Sequence, residues 1–109
     1  MSQFDVHRNK GKLRESIPFV VLVQSAQFDR YRRRVVVPLV CRSALPTNTP
    51  TVGARMNPTF TVEGIDVVLH PLDMVSVPLD QLGDHIGSLS AHGQSIADAL
   101  DELLTRSWK

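Results

Sequence analysis

The sequence predicts an α+β protein, mainly β, in which a small antiparallel sheet curls into a partly closed barrel and one helix follows it. Short runs rich in β-branched residues, joined by turn residues, fill the first two thirds of the chain. In the last third, isoleucine and leucine recur at helical spacing instead. A chain of 109 residues, 42% of them hydrophobic, supports one compact core, so we predict a single domain over residues 1–109.

The first strands are predicted from apolar runs in chain order. Residues 3–6 alternate weakly and precede a polar stretch that reads as a loop. Residues 19–23 are apolar throughout, as in a strand buried on both faces. Residues 59–69 form two apolar runs separated by Glu63-Gly64, which is the length of a two-residue hairpin turn with glycine supplying a positive φ.

Two nearly identical pentapeptides predict two further strands. Val-Val-Val-Pro-Leu occupies residues 35–39, and Val-Ser-Val-Pro-Leu occupies residues 75–79. β-branched residues favour a pleated, half-buried strand, whereas proline lacks the N–H that a central strand needs. We therefore expect each strand to end at its proline, Pro38 or Pro78, and the barrel to span approximately residues 1–78.

The helix is predicted from the spacing of apolar residues near the end of the chain. Ile96 and Leu100 begin a stripe at three- and four-residue intervals, so we expect one amphipathic helix over residues 90–107 with Ser90 as its N-cap. Trp108 follows this helix, where nothing local would bury it. A tryptophan in that place docks on the domain, on a twin subunit or on another partner.

The net charge of +1 conceals an uneven distribution. Residues 1–55 hold ten of the twelve Lys and Arg and three acids, whereas residues 56–109 hold two basic residues and eight acids, so the halves are +7 and −6. Such asymmetry marks either a nucleic-acid surface or an attraction between the halves, within the fold or across a dimer. Because the few aromatic residues are not interleaved with the basic ones, we expect no direct, specific nucleic-acid binding.

Several function classes have no support in the sequence. No apolar run approaches a membrane span and the first residues lack a signal peptide, so we expect no membrane association and a cytoplasmic location. Cys41 is the only cysteine, which excludes an internal disulfide and a multi-thiolate metal site. No phosphate loop or nucleophile motif occurs, so we expect no catalytic residue, no metal and no cofactor. His70 could act as an acid or base with Asp66 or Asp73, although such a pair is more often a structural hydrogen bond.

Six features occur in a recognisable order along the chain. They are Gln3-Phe4, Val23-Gln24-Ser25, the run Arg-Arg-Val-Val-Val-Pro-Leu at 33–39, Met56-Asn57-Pro58, Met-Val-Ser-Val-Pro-Leu at 74–79 with Leu82-Gly83, and the terminal helix. In this order and spacing they resemble the CcdB family of plasmid and chromosomal toxins, over nearly the whole chain. The resemblance implies an SH3-like antiparallel β-barrel with a hairpin extension and a C-terminal helix, as in the CcdB, MazF and Kid toxins.

The resemblance also implies a function. Members of this family are homodimeric, non-enzymatic toxins of type II toxin–antitoxin systems, associated with plasmid maintenance. They bind the A subunit of DNA gyrase and trap the cleaved-DNA complex, and a cognate CcdA-like antitoxin neutralises them. A toxin of this kind would act by binding an opened state of gyrase more tightly than the closed state.

The end of the chain departs from the family. Family members contact gyrase with the end of the terminal helix, which typically finishes in Trp-Gly-Ile. Counting without a gap places the family tryptophan at Thr105, and this chain then runs on through Arg106 and Ser107 to Trp108 and Lys109. If the helix continues, Trp108 lies on the same side of it, one turn farther on and about 60° away around the axis. The resemblance implies gyrase contacts at Asp101, Leu104, Thr105, Arg106 and Trp108.

The antitoxin contacts implied by the resemblance lie on two segments. The connection after Gln24-Ser25 and the outer face of the helix supply Gln27, Phe28, Asp101 and Leu104. Such a role would explain why a large ring, Phe28, stands in a polar segment. Leu104 could equally be dimer-interface core, since the family brings its two terminal helices near the twofold axis.

Two other functions stay open at this point. The same barrel supports the MazF/Kid endoribonuclease toxins, which need a cluster of Arg with Asp, His or Thr around the scissile phosphate. Arg14, Arg33, His70 and Asp73 could supply these side chains. The third possibility is an inactive CcdB homologue that binds its antitoxin without harming the host.

Overall fold

The structure is a computed structural model that describes residues 2–46 and 52–106, with Arg106 described in its backbone only. Seven strands precede one α-helix. The strands are β1 (Asp5–Asn9), β2 (Phe19–Leu22), β3 (Arg33–Cys41), β4 (Thr59–Val62), β5 (Ile65–Leu69), β6 (Val75–Pro78) and β7 (Leu82–Ser88), and the helix is α1 (Gly93–Asp101).

All strand pairs are antiparallel, and the strands lie in the order β4-β5-β3-β2-β1-β7. β6 pairs with β3 beside the point where β5 leaves it. The two outer strands, β4 and β7, are not paired with each other in the described part of the chain. The sheet is therefore a curled half-barrel with one C-terminal helix, which confirms the predicted fold class.

The hairpin between β4 and β5 forms as predicted. Val62 and Ile65 are paired across a two-residue turn. Glu63 has φ 50° and Gly64 has φ 77°. Positive φ at both central positions is typical of a type I′ turn, whose twist matches that of the two strands.

Pro38 lies inside β3, so the prediction that it closes this strand is wrong. On one side, β3 pairs with β2 over residues 36–39. On the other side it changes partner, from β6 as far as Val36 to β5 from Leu39 onward. The carbonyl of Pro38 faces this change of partner and accepts the His70 N–H at 3.1 Å. In an antiparallel strand, the N–H and C=O of one residue point to the same side. The nitrogen of Pro38 therefore faces the change of partner between β6 and β5, and its missing N–H costs no ladder hydrogen bond. Pro78 ends β6, as predicted.

The sequence does not predict β7. Ile86 is its only β-branched residue, two of its seven residues are glycine, and its register against β1 shifts at two places, as β-bulges do. Gly83 allows the close approach of the two strands, since a Cβ there would lie 2.5 Å from the carbonyl oxygen of Arg8. The sheet thus continues to Ser88, beyond the expected barrel limit near residue 78.

The core lies between the concave face of the sheet and the helix. Ile96 and Ala99 of α1 are fully buried in it, and Leu100 packs at its border. The helical region begins with a 3-10 turn at Ser90–His92, and the Ser90 N–H donates to Ser88 Oγ at 3.1 Å. Ser90 is therefore not the side-chain N-cap that the sequence predicts. The buried apolar core contains Val6, Phe19, Val21, Val37, Leu39, Phe60, Val67, Leu69, Leu89, Ile96 and Ala99.

Candidate functional site

The end of the terminal helix exposes three of the residues predicted to contact gyrase. Leu104 is 63% exposed, and Asp101 and Thr105 are exposed as well. Thr105 Oγ1 lies 2.8 Å from Asp101 Oδ1 and 3.0 Å from the Asp101 carbonyl oxygen. The side chain of Arg106 and all of Trp108 lie outside the described residues.

The helix changes geometry just before these residues. α1 ends at Asp101, and Glu102–Arg106 form a π-helical turn. Arg55, from the segment before β4, lies 3.5 Å from Asp98 and 3.3 Å from Glu102, so ion pairs hold the helix where it changes. A π turn has more residues per turn than an α-helix, and such turns are frequent at functional sites. The wider turn rotates Leu104 relative to the stripe that starts at Ile96.

The predicted antitoxin contacts Gln27 and Phe28 lie in the segment between β2 and β3. They lie in a 3-10 helix, Ala26–Phe28, where Gln27 is exposed and Phe28 is half-buried. The Phe28 ring lies 5.9 Å from the ring of Tyr31, which is 62% exposed. These rings border an open cavity of about 400 Å³, lined by Gln24, Phe28, Tyr31, Arg32, Arg33, Val35 and Ser76.

Arg34 holds this segment in place, and the sequence does not predict its role. Its side chain is fully buried, and its guanidinium donates to Asp29 Oδ1 at 2.5 Å and to the carbonyls of Gln24 and Ser25 at 3.4 and 3.1 Å. The Arg34 hydrogen bond lowers the pKa of Asp29 below its ordinary value. A buried guanidinium bonded in this way fixes the path of the chain on both sides of Phe28.

The four side chains considered for ribonuclease chemistry have different hydrogen-bond and ion-pair partners. Arg33 starts β3, and its guanidinium donates to Ser76 Oγ and to the Ser76 carbonyl at 3.0 and 2.7 Å. Arg14 lies at the far end of β3, about 26 Å along the strand, because its loop is bound there by the bond from Cys41 N–H to the Ser16 carbonyl. The loop that carries Arg14 is thus tied to the opposite end of β3 from Arg33.

His70 and Asp73 form a separate pair. His70 Nδ1 lies 3.8 Å from Asp73 Oδ2. Because the His70 N–H binds the Pro38 carbonyl, its backbone is about 17 Å along β3 from Arg33. Asp66, the other acid considered for His70, accepts from Thr61 Oγ1 at 2.9 Å instead.

Contact between a buried histidine, His7, and an exposed one, His85, was not apparent from sequence spacing. His7 on β1 is 6% exposed, its Nδ1 lies 3.0 Å from the Gly83 carbonyl, and its ring is 5.4 Å from that of His85 on β7. His85 Nε2 lies 3.5 Å from Asp5 Oδ1. Only the pairing of β1 with β7 brings these rings together. Among the described residues, no group of three or more His, Cys, Asp and Glu could hold a metal ion.

The fold is that of known toxins. An endoribonuclease in complex with its cognate antitoxin from Mycobacterial species has a TM-score of 0.74 at 17% identity, over 100% of this chain and 99% of that chain. The Mycobacterium tuberculosis toxin MazF-mt6 has a TM-score of 0.71 at 15% identity, over 95% and 99%. An endoribonuclease from Mycobacterial species has a TM-score of 0.68 at 16% identity, over 100% and 95%. At these identities the likeness shows the fold alone, and it defines the chain as a protein with a MazF-like and CcdB-like toxin fold.

The family is shown by the sequence. The model of the family described as CcdB protein matches residues 3–105, and the chain belongs to this family. No curated protein is similar enough in sequence to match the chain. Family membership and the toxin fold together support its assignment as the toxin of a toxin–antitoxin system. Within the described residues, no helix is long and apolar enough to cross a membrane.

Proposed function

We propose that the chain is a homodimeric toxin that binds the A subunit of DNA gyrase and traps the cleaved-DNA complex, and that a CcdA-like antitoxin neutralises it. The match to the CcdB family over residues 3–105 is the observation that carries this proposal. The endoribonuclease alternative rests on the fold, since among the described side chains His70 lies beside Asp73 while Arg14 and Arg33 are bonded to other residues.

The exposed helix end supports the proposed gyrase contact. Leu104 presents a large apolar side chain to solvent at 63% exposure, beside the polar pair of Asp101 and Thr105. An apolar anchor next to oriented polar groups is the usual composition of a binding hot spot. A helix that inserts such a face into a groove is a common mode of protein recognition.

Poisoning follows from a difference in affinity between two states of gyrase. A toxin that binds the opened, DNA-cleaved state more tightly than the closed state shifts the population toward it. A shift from 1:99 to 99:1 needs about 10⁴-fold tighter binding of the favoured state, or about 5.5 kcal/mol. No covalent chemistry by the toxin is required.

The altered end of the chain changes how the helix would engage gyrase. Thr105 stands at the family's tryptophan position, and its hydroxyl is directed back to Asp101. We propose that Trp108, three residues farther along the chain, supplies the aromatic anchor, and that Arg106 takes part in the same contact. Under this arrangement the target pocket is filled from a displaced position.

The antitoxin would bind across the segment that carries Gln27 and Phe28. The half-buried Phe28 ring and the exposed Tyr31 ring offer an apolar anchor point, and Arg32 stands at the edge of the same cavity. A disordered antitoxin tail that folds on this surface and continues to Asp101 and Leu104 would compete with gyrase for the helix end. Neutralisation would then follow from overlap.

The affinity for the isolated gyrase A subunit tests the contact. We expect Leu104→Ala to lower it more than tenfold, because hot-spot truncations cost at least about 2 kcal/mol. Leu72→Ala is the matched control, since Leu72 is 71% exposed on the turn between β5 and β6. Calorimetric titration of both variants separates the two sites. Equal affinities for the wild type and Leu104→Ala would contradict the contact.

The same variants test the competing role of Leu104. Sedimentation velocity gives the oligomeric state of the wild type and Leu104→Ala. If both proteins are dimers, Leu104 is assigned to the contact with gyrase, as proposed. A dimer that becomes a monomer in Leu104→Ala would place this side chain in the dimer interface instead.

A further inference from the structure

The described arginines and lysines divide into those that face a carboxylate and those that do not. Arg8 pairs with Glu63 at 2.8 Å, and Arg34 and Arg55 pair with acids as described above. Lys10 and Arg14 form no ion pair with a described acid. Their side chains donate to backbone carbonyls, Lys10 to Asp80 at 3.2 Å and Arg14 to Gly11 at 3.5 Å.

These two cations line the same open cavity, of about 530 Å³, between the end of β1, the loop that follows it and the start of β7. Arg8 adds a third cation, and Asp84 is the one acid of the lining. The residues that line this basic pocket are Arg8, Asn9, Lys10, Arg14, Leu82, Gly83 and Asp84. Three of the ten basic residues in the first half of the chain therefore line one concave surface.

The basic pocket is held open by the local structure. One register shift of β7 against β1, between His7 and Asn9, adjoins the pocket, where Gly83 contributes no side chain. Asn9 fixes the loop, because its Nδ2 donates to the Ile17 carbonyl at 2.8 Å and its Oδ1 accepts the Gly11 N–H at 2.9 Å. The cations therefore project from a shaped surface, and little ordering is needed when they meet an anion.

We propose that the basic pocket binds phosphates of the DNA backbone, independently of base sequence. This inference rests on the proposed function, in which the toxin works on gyrase while DNA is bound. Arginine and lysine contacts to phosphates supply such binding and carry no sequence information. The pocket lining contains no aromatic ring on which a base could stack, so base recognition is not part of the site.

Its chemistry favours a polyanion over an acidic peptide. Binding hot spots for peptide and protein partners are enriched in buried aromatic anchors. Such an anchor point is present at Phe28 and Tyr31, whereas the basic pocket offers only Leu82, which is half-buried. A phosphate chain needs no apolar contact, and DNA bound to gyrase is the polyanion that the proposed function places nearby.

Fluorescence anisotropy of a labelled 20-base-pair duplex, with the full-length protein and no gyrase, tests the pocket. The test variant is Lys10→Ser with Arg14→Ser. The control is Arg30→Ser with Arg42→Ser, which removes the same charge from exposed residues outside the pocket. Each phosphate contact adds about 0.9 to the slope of log affinity against log salt.

We expect the slope to fall by about 1.8 in the pocket variant and to stay unchanged in the control. Between 50 and 200 mM salt, the wild-type affinity should then fall about twelvefold more than that of the pocket variant. Absence of duplex binding at 50 mM salt would overturn the inference. Equal slopes in the two double variants would also overturn it, since they would indicate only a general electrostatic attraction. Tighter binding of single-stranded RNA of the same length would overturn it as well.

These measurements distinguish failure of the phosphate site from failure of the proposed gyrase poisoning. Affinity for the isolated gyrase A subunit should be the same in the wild type and the pocket variant, because no DNA is present. A chain that shows the expected duplex binding but leaves plasmid uncut in the presence of gyrase would support the phosphate site and contradict gyrase poisoning.

Discussion

The hydroxyl of Thr105 lies 2.8 Å from the carboxylate of Asp101, one turn earlier on the helix. The same hydroxyl lies 3.0 Å from the Asp101 carbonyl, which is one of the last backbone acceptors of the helix. Asp101 and Thr105 are both exposed, so this bond orients two polar side chains beside Leu104 without burying either.

Thr105→Val should weaken binding to the gyrase A subunit. Valine keeps the shape of threonine but removes the hydroxyl, and a lost hydrogen bond of about 1 kcal/mol corresponds to about fivefold in affinity. Thr105→Ser keeps the hydroxyl and should remain within about twofold of the wild type. Calorimetric titration with both variants measures the difference. Equal losses of affinity in Thr105→Ser and Thr105→Val would show that the hydroxyl hydrogen bond to Asp101 does not contribute to gyrase binding.

Two substitutions on one helix should separate stability from binding. Ile96 is fully buried, so Ile96→Ala should lower the free energy of unfolding by about 2–5 kcal/mol. Leu104→Ala should change it by less than about 0.5 kcal/mol, because this side chain is exposed. Urea unfolding followed by circular dichroism measures both. A large loss of stability in Leu104→Ala would mean that Leu104 is buried in solution, as in a dimer interface.

Gly83→Ala should destabilise the pairing of β1 with β7. The new Cβ would meet the Arg8 carbonyl oxygen at 2.5 Å, and relieving such a contact costs about 1–3 kcal/mol in the free energy of unfolding. Gly87→Ala is the control on the same strand, where a Cβ would meet nothing within 4 Å. Urea midpoints that shift equally in the two variants would show that the close approach at Gly83 does not occur.

The pair of Asp29 with Arg34 should contribute a pH-dependent part of the stability. Since the folded protein lowers the pKa of Asp29, the unfolded chain binds its proton more readily, with a pKa near 3.8. The stabilisation is therefore complete above that unfolded pKa and disappears as the pH falls through the lower folded pKa.

Comparison of the wild type with Asp29→Asn isolates this effect, because the other carboxyl groups titrate in both proteins. The difference in urea midpoint between them should be constant above about pH 5 and should narrow below the unfolded pKa. A difference that grows as the pH falls would contradict the sign of the pKa change.

Six strands and the helix could be predicted from sequence because their signals are local. Runs of β-branched residues and a helical stripe do not depend on which strand lies beside them. β7 and the place of Pro38 could not be predicted, since both depend on pairing. β7 is held by β1 despite its glycines, and Pro38 is tolerated because β3 changes partner there. Strand behaviour of this kind is decided by context more than by propensity.

The candidate sites also contain some features that the sequence indicates and others that depend on the fold. The odd position of Phe28 follows from composition, whereas periodicity places Leu104 in the apolar stripe and only the family resemblance implies that it faces outward. The burial of Arg34, in contrast, cannot be separated by sequence from that of its neighbours in a run of three arginines, because its acceptors belong to residues 24–29. The basic pocket also needs the fold, since it joins the loop after β1 to the start of β7.

The most direct test of the account is plasmid cleavage. Purified protein is incubated with gyrase, supercoiled plasmid and ATP, and linear DNA is measured after detergent and protease, with Trp108→Ala and Leu72→Ala alongside. We predict linear DNA with the wild type and Leu72→Ala, and little or none with Trp108→Ala. Intact plasmid with the wild-type protein, or RNA cleavage by it without gyrase, would contradict gyrase poisoning.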